Sequence, residues 1–432
     1  MIVEQIHNNS SSSSNNNLES SKVLISAYAC RPDKGSEPGV GWNMAQELVK
    51  HCKEVWVITR SENRSSIETE LAKNPIPGLN FVYYDLPYWA RWWKKGDRGV
   101  HLHYYFWQIG AYSVARKLHQ EINFNLVHHV TYGRYCAPSF LSLLPIPFVW
   151  GPVGGGEVAP SSFRRDFSLS GKFYETLRDL SRWIGERDPF VYLTARRSAV
   201  AIVATPETSA CLSALGTKRI ETIVGQTGIN QQELARFEKL AVSSVETPVR
   251  FISMGRLLHW KGFHLGLRAF AEANLEGGEY WVVGDGPERQ RLEALASKLN
   301  IADRVRFFGA LPREEALQKL EQCCALIHPS LHDFSPTVCL EGMAAGRPVI
   351  CLDLGGPATQ ITHETGFKIP AKTPEQAASG IALAMSKLAT NPELRLRMGE
   401  AGRKRVKESY SWEFKGQFLT RLYKEVLAQA RT

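Results

Sequence analysis

The chain has 432 residues, 44% apolar and 22% charged, enough for two domains of about 200 residues and unlike a disordered or fibrous chain. Its net charge of +9 is spread over both halves, which argues against a dedicated nucleic-acid binder with one basic arm or face. Eight cysteines include no C-x-x-C pair, so neither a disulfide framework nor a zinc ribbon is read, and a reducing, cytoplasmic compartment is expected.

Residues 1–20 carry the Asn/Ser tract Asn8–Asn17 and are expected to be a disordered tail. No secretory signal is read at the start. Tyr135–Gly156 lacks charge but holds Pro138, Pro145, Pro147 and Pro152, so it cannot be one spanning helix. From Lys22 onward, β-branched runs alternate with helical periodicity, the pattern of a parallel α/β sheet. Strands are expected at Val23–Ala27, Val55–Thr59, Phe81–Tyr84, Leu126–Val130, Phe148–Trp150, Ala201–Thr205 and Glu221–Val224. Between the first two, Trp42, Ala45, Leu48, Val49 and Cys52 recur at helical spacing. Thr227–Pro248 holds no convincing strand. The rhythm then restarts at Arg250–Met254, Tyr280–Val283, Val305–Phe308, Ala325–His328 and Pro348–Leu352. Near the end, Phe414, Phe418, Leu422 and Val426 make an i, i+4 stripe expected to be buried. Two doubly wound domains in succession place a ligand in the cleft between the carboxyl ends of their strands.

The second domain opens with Gly255-Arg256-Leu257-Leu258-His259-Trp260-Lys261-Gly262 after its first strand. Two cations at a strand end can converge on a multiply charged anion such as a diphosphate; a surface Arg and a helix-start Lys are the plain alternative. Further on, in Asp333-Phe334-Ser335-Pro336-Thr337-Val338-Cys339-Leu340-Glu341, Ser335 and Pro336 read as an N-cap and first helical residue. The amides of Thr337 and Val338 would then form an anion site. Glu341, on the same helix face as Thr337, could accept hydrogen bonds from sugar hydroxyls, with Asp333 facing the same cleft. Taken alone, a Ser-Pro helix start is mostly structural.

In the first domain, Gly39-Val40-Gly41 could open a dinucleotide fingerprint, but Met44 stands where a third glycine belongs. The loop Gly151–Glu157 contains Gly154-Gly155-Gly156, which suits either a flexible connection or close backbone approach to a ligand. His128 and His129 end a strand and point to opposite faces, one to the core and one to the cleft. No Asp-x-Asp and no His/Asp cluster with metal spacing occurs.

These motifs together resemble glycosyltransferase family 4, retaining enzymes of the GT-B fold. The likeness runs from about Lys22 to Leu427 and is strongest from Phe251 to Gly356. It implies an α/β chain with two doubly wound Rossmann-like domains facing a central cleft. Residues 21–228 would form the acceptor domain, 229–248 a linker and 249–410 the donor domain, with a terminal helix at 411–430 crossing back to the first. Gly255, Arg256 and Lys261 would meet the donor diphosphate, helped by Ser335, Thr337 and Val338 at their helix start. Asp333 would meet hydroxyls of the donor sugar, Glu341 the ribose, and main-chain atoms of Gly309 and Ala310 the base. His129 would contact the sugar, and backbone around Gly39 and Gly41 would approach the phosphate and the acceptor. The chain departs from the family in carrying Asp333 where Glu is usual, and Ser335-Pro336-Thr337 where a Phe-Gly pattern is commoner.

The implied reaction is retaining transfer of a sugar from a nucleoside diphosphate sugar, with a UDP-sugar expected, to a hydroxyl of a saccharide or lipid-linked acceptor in polysaccharide or glycolipid synthesis. No tightly bound cofactor and no metal are expected; cations and helix amides stabilise the leaving diphosphate. Rival readings are a nucleotide-sugar epimerase of the same fold and a non-catalytic nucleotide-sugar-binding scaffold. Residues 89–118 mix Trp89, Trp92, Trp93, Tyr104, Tyr105, Phe106 and Trp107 with Arg91, Lys94, Lys95, Arg98, Arg116 and Lys117, against the one acid Asp97. Such a segment suits an anionic membrane surface at the inner face, but also stacking on a sugar acceptor or plain core packing.

Overall fold

The computed structural model describes residues 18–90, 99–239 and 248–430. The first sheet contains β1 (Lys22–Ser26), β2 (Glu54–Thr59), β3 (Leu79–Tyr83), β4 (Leu126–His129), β5 (Phe148–Val153), β6 (Ser198–Val203) and β7 (Ile220–Thr222). The second contains β8 (Arg250–Met254), β9 (Glu279–Val283), β10 (Val305–Gly309), β11 (Ala325–His328), β12 (Val349–Leu352) and β13 (Gly366–Ile369). The strand orders are β3-β2-β1-β4-β5-β6-β7 and β10-β9-β8-β11-β12-β13, with neighbours parallel, as in Val23 beside both Val55 and Leu126. Strands buried on two faces read as unbroken apolar runs. In β1, Val23 and Ile25 pack towards the helices Ser36–Val49 and Trp412–Gln429, while Leu24 packs towards Tyr104 and Trp107 of the helix Val100–Ile122. In β8, Phe251 joins one core and Ile252 the opposite one.

Both orders reverse at one place, between β1 and β4 and between β8 and β11. The loops beyond these ends diverge to opposite sides of their sheet and leave a crevice.

Several stretches differ from expectation. Leu18–Ser20, within the expected tail, is a single turn whose Leu18 is buried in the first core; residues 1–17 lie outside the described residues. Inside the expected linker, Gln231–Glu238 is a helix. Asn230 and Glu233 cap it reciprocally, and Phe237 packs into the second domain's core; residues 240–247 lie outside the described residues. Strand β13 escapes the sequence pattern because Phe367 and Lys368 are only half-buried, so it lacks a continuous apolar run. Phe163 and Phe167 lie within the first domain's expected span yet pack in the second domain's core.

The terminal helix Trp412–Gln429 covers the first sheet, as Leu419, Leu422, Tyr423 and Val426 show. Its buried face is turned from the expected stripe. Phe414 and Phe418 are half-buried, while Lys415 is wholly enclosed. The Lys415 ammonium donates to the carbonyls of Val224 and Gly225 at 3.0 and 2.7 Å, and burial pulls its pKa down to about 7.

Below that value Lys415 is charged in both folded and unfolded chains. Above it the unfolded chain holds the extra proton, so stability rises with pH until the ordinary lysine pKa is reached. The slope attributable to this group is at most about 1.4 kcal/mol per pH unit. Denaturant unfolding between pH 7 and 9 (about this window by the same linkage) should show that rise relative to Lys415→Met; equal slopes would refute it.

Candidate active site at the domain cleft

A cavity of about 330 Å³ opens at the crevice, lined by Ser36 and Glu37 after β1, Gln226 and Thr227 after β7, Met254 at the end of β8 with Gly255 and Lys261 beyond it, and Asp333–Val338 after β11. Of the expected site residues, Gly255, Lys261, Asp333, Ser335, Thr337 and Val338 meet here. Gly255 adopts φ 140°, open to glycine and strained for other residues, and nothing stands within 4 Å of where a side chain would begin. Its backbone is therefore accessible to a ligand. Thr337 and Val338 begin the helix Thr337–Ala344, whose first-turn amides have no intrahelical acceptors.

Lys261 Nζ donates to both oxygens of Asp333, at 2.8 and 2.7 Å. His328 Nε2 lies 2.8 Å from Asp333 Oδ2, and since a carboxylate only accepts, the imidazole donates from that nitrogen. Burial opposes ionisation of Asp333, but Lys261 and His328 outweigh it and hold the carboxyl well below the usual range. Burial lowers the pKa of His328 despite Asp333.

Ser335 is not the helix N-cap. Pro336 holds that position and no side chain caps the end, because the Ser335 hydroxyl is engaged elsewhere: it accepts the Gln226 backbone N–H at 2.9 Å. Gln226 Nε2 donates in turn to Glu37 at 2.8 Å, and Glu37 also accepts the Tyr132 backbone N–H at 2.5 Å. Burial pushes the Glu37 carboxyl up against those two donors. The chain Tyr132–Glu37–Gln226–Ser335 thus ties the first domain to the second. Glu37 carried no sequence signal of its own, because Gln226 and Tyr132 reach it only through tertiary contact.

Gly39 and Gly41 do not form a ligand loop. Both lie within the helix Ser36–Val49; a methyl on either would fall 2.6 Å from Lys34 O or 2.4 Å from Ala29 O. Their smallness lets that first turn press on the preceding loop. His129 does not line the cleft. It is buried, with Nε2 2.8 Å from Tyr104 Oη and Nδ1 2.9 Å from Ser139 Oγ, and burial pulls its pKa down to about 4. His128 is equally enclosed, between Tyr423 Oη and Gly151 O, each at 2.6 Å. Both strand faces are covered, so alternation could not send either ring to the cleft. In the Gly151–Glu157 loop, Gly154 provides close packing: a side chain there would meet the Phe334 ring at 2.7 Å.

Arg256, Gly309, Ala310 and Glu341 lie outside the cavity lining. Arg256 is exposed on the same loop as Gly255. Gly309 accepts the Gly284 N–H at 2.8 Å, and Ala310 is exposed. Glu341 is buried and accepts from Arg313 Nε at 2.9 Å; burial raises its pKa, with Arg313 opposing. Arg313 also pairs with Glu233 at 2.6 Å. Outside the cavity lining as well, Glu175 receives His259 and His332, each at 3.0 Å. Arg313 and Glu175 carried no sequence signal, because each meets its partners through tertiary contact alone. Among the described residues, no group of three or more His, Cys, Asp or Glu is placed to hold a metal ion.

Residues 235–405 match the family model of glycosyl transferases group 1. That stretch contains Gly255, Lys261, Asp333 and the Thr337–Ala344 helix start, so the second domain's wall of the cleft falls within the group 1 glycosyl transferase match. The chain is 33% identical over 224 residues to the lipopolysaccharide core biosynthesis glycosyltransferase LpsD of Rhizobium meliloti, covering 51% of this chain and 61% of the relative. It is 31% identical over 235 residues to LpsE of the same organism, covering 54% and 65%. The matches therefore span under two thirds of these relatives. Sucrose-phosphate synthase from Thermosynechococcus elongatus superposes with TM-score 0.64 at 18% identity, over 95% of this chain and all of that one. Anabaena Alr3699/HepE, in complex with UDP and glucose, gives 0.59 at 15% identity, over 94% and 100%. The fold is GT-B, two Rossmann-like α/β domains about a cleft.

Ser335→Ala leaves the Gln226 N–H without its acceptor. It should lower unfolding stability by about 1 kcal/mol, measured by urea denaturation; an unchanged midpoint would show that water replaces the hydroxyl freely.

Proposed function

We propose that the chain is a retaining, family 4 glycosyltransferase that moves a sugar from a UDP-sugar to a hydroxyl of a saccharide or lipid-linked acceptor in lipopolysaccharide or polysaccharide synthesis. The observation that carries this reading is the meeting of Lys261, the accessible Gly255 backbone and the first turn of Thr337–Ala344 in one cavity at the crevice. An ammonium and a helix N-terminus aimed at one point suit a diphosphate leaving group. Two relatives are named as lipopolysaccharide core glycosyltransferases, and a structural neighbour holds UDP.

In this reaction the second domain, residues 249–410, binds the donor, and residues 21–228 with the helix at 411–430 receive the acceptor. Lys261 and Arg256 neutralise the diphosphate, with Thr337 and Val338 amides on its oxygens. Asp333 holds Lys261 and orients sugar hydroxyls, a shorter reach than Glu but anchored by His328. Glu341, held by Arg313, accepts from the ribose, and main chain at Gly309 and Ala310 meets the base. As the bond to the anomeric carbon breaks, the electron pair leaves with the diphosphate. The acceptor oxygen attacks from that same face and gives its proton to a leaving phosphate oxygen. Charge stabilisation by these groups requires no metal. The enzyme works in the cytoplasm at the inner membrane face, with residues 89–118 towards an anionic bilayer; positions 91–98 of that segment lie outside the described residues.

Thermal unfolding with UDP, GDP and ADP, each with and without EDTA, tests the donor site. UDP at about 100 times its dissociation constant should stabilise the fold by about 2.7 kcal/mol, with EDTA making no difference. No shift with any nucleoside diphosphate would overturn the reading. Lys261→Ala should lower stability by leaving Asp333 with His328 as its partner, yet fold cooperatively and cut transfer by about 10² or more; a folded, fully active variant would remove Lys261 from the mechanism.

A further inference from the structure

The helix Leu169–Gly185 is amphipathic the wrong way round for a helix on a water-soluble domain. Its inward face is polar: Glu175 holds His259 and His332, and Arg182 donates to Tyr135 Oη at 2.8 Å. Its outward face carries Leu169, Phe173, Leu177, Leu180, Trp183 and Ile184, between 49% and 86% exposed. Spacings of three and four residues align these side chains in one stripe along 17 residues. Phe190 and Leu193 of the next helix, Pro189–Arg197, are exposed as well.

Charge selects what covers this stripe. Between residues 168 and 197 the exposed charged side chains are Lys172, Arg187, Arg196 and Arg197, all cationic. The acids of the stretch are turned inward or engaged: Glu175 is buried, Asp179 pairs with Arg164, Glu186 accepts from Tyr135 at 2.6 Å and Asp188 caps the next helix. Arg187 lies over the Trp183 ring at 4.1 Å. A second copy of this chain in a two-fold contact would set these cations against their own kind. An apolar stripe rimmed by cations and an aromatic anchor matches the boundary between acyl chains and anionic headgroups.

We propose that the outward face of Leu169–Gly185 is a docking surface for an anionic lipid bilayer, with the helix lying in the interface. Among the described residues no helix is long and apolar enough to cross a membrane, so the contact is peripheral. The inward side of the same helix touches the catalytic loops. Tyr174 stacks on Trp260, with ring centroids 5.1 Å apart, and Trp260 stacks on His332. Docking would therefore hold the cleft walls beside Lys261 and Asp333 close to the membrane plane. The inference rests on the membrane contact proposed above and gives it a second element apart from residues 89–118, while the transfer chemistry can stand without it.

The test is co-sedimentation of the full chain with vesicles of phosphatidylcholine, with and without phosphatidylglycerol, in the absence of any sugar nucleotide. The wild type should bind the anionic vesicles and hardly the neutral ones. Phe173→Ser, Leu177→Ser and Leu180→Ser combined should weaken binding at least about tenfold while melting and the UDP-induced thermal shift stay as in wild type. Should that variant fold poorly, Lys172→Glu with Arg187→Glu serves instead and should also lose the preference for anionic vesicles. No binding by wild type, equal binding to both vesicles, or full binding by a folded serine variant would each overturn the proposal. So would a wild-type dimer that the serine variant converts to monomer. Because the UDP shift is read on the same samples, failure of docking and failure of the transferase reading are told apart.

Discussion

Where β8 and β11 part, a cation and a carboxylate face each other. The two strands are paired through Phe251–Ala325 and Ile252–Leu326, and the loops beyond deliver Lys261 to within 2.7 Å of Asp333. Either charge alone at such depth would cost several kcal/mol, about the penalty of an unpaired partly buried ion. Together, with His328 donating to the carboxylate, they hold a positive group at the cleft mouth in a fixed place. An arriving diphosphate would share Lys261 with Asp333, so the ammonium need not be desolvated anew when the donor binds. Such preorganisation is what electrostatic catalysis requires.

The rest of the cleft is organised by contacts between the domains around that pair. Glu37, Gln226 and Ser335 run hydrogen bonds from one domain to the other, and Gly154 admits the Phe334 ring against its backbone. Asp166 receives Arg268 at 2.6 Å, while Ser168 donates to Glu288 at 2.9 Å. Separating the domains would break the Gln226–Ser335 bond and the Gly154–Phe334 contact, whereas Asp166 and Ser168 lie beside Phe167, in the stretch that packs in the second domain's core. The opposing end of the crossover is held by Lys415, whose ammonium sits on two carbonyls of the segment after β7.

Residues 159–185 give the architecture an asymmetry that two ideal doubly wound domains would lack. They leave the first domain, contribute Phe163 and Phe167 to the second domain's core, and continue as a helix whose polar side meets His259, His332 and Tyr135. Water gains nothing by covering that helix's other side, so the apolar stripe is a cost to the isolated chain. It is offset inward by Glu175, which satisfies two histidines at once, and outward only when an apolar surface is supplied.

Much of this was legible in the amino-acid sequence, because strands buried on two faces leave unbroken apolar runs. Twelve strands lie close to their expected positions; the half-buried strands β3, β7 and β10 were legible from their β-branched and aromatic residues, whereas Gly366 and Lys368 interrupt the run of β13. The loops Gly255–Lys261 and Asp333–Val338 were legible as cleft residues because a parallel sheet sends its strand ends to one edge. Tertiary structure alone decided which of their side chains meet. Lys261 faces Asp333, Ser335 serves Gln226 instead of its helix, His129 is sealed by Tyr104 and Ser139, and Gly39 and Gly41 became packing points. Periodicity reports which face of an element is buried, whereas a partner from a distant loop leaves no mark on local spacing. Hence the sequence by itself determined the alternating strands and helices and the edge where a ligand would sit. Only the folded chain decided the hydrogen bonds across the cleft and the direction in which Leu169–Gly185 turns its apolar side, since both depend on partners far apart in the chain.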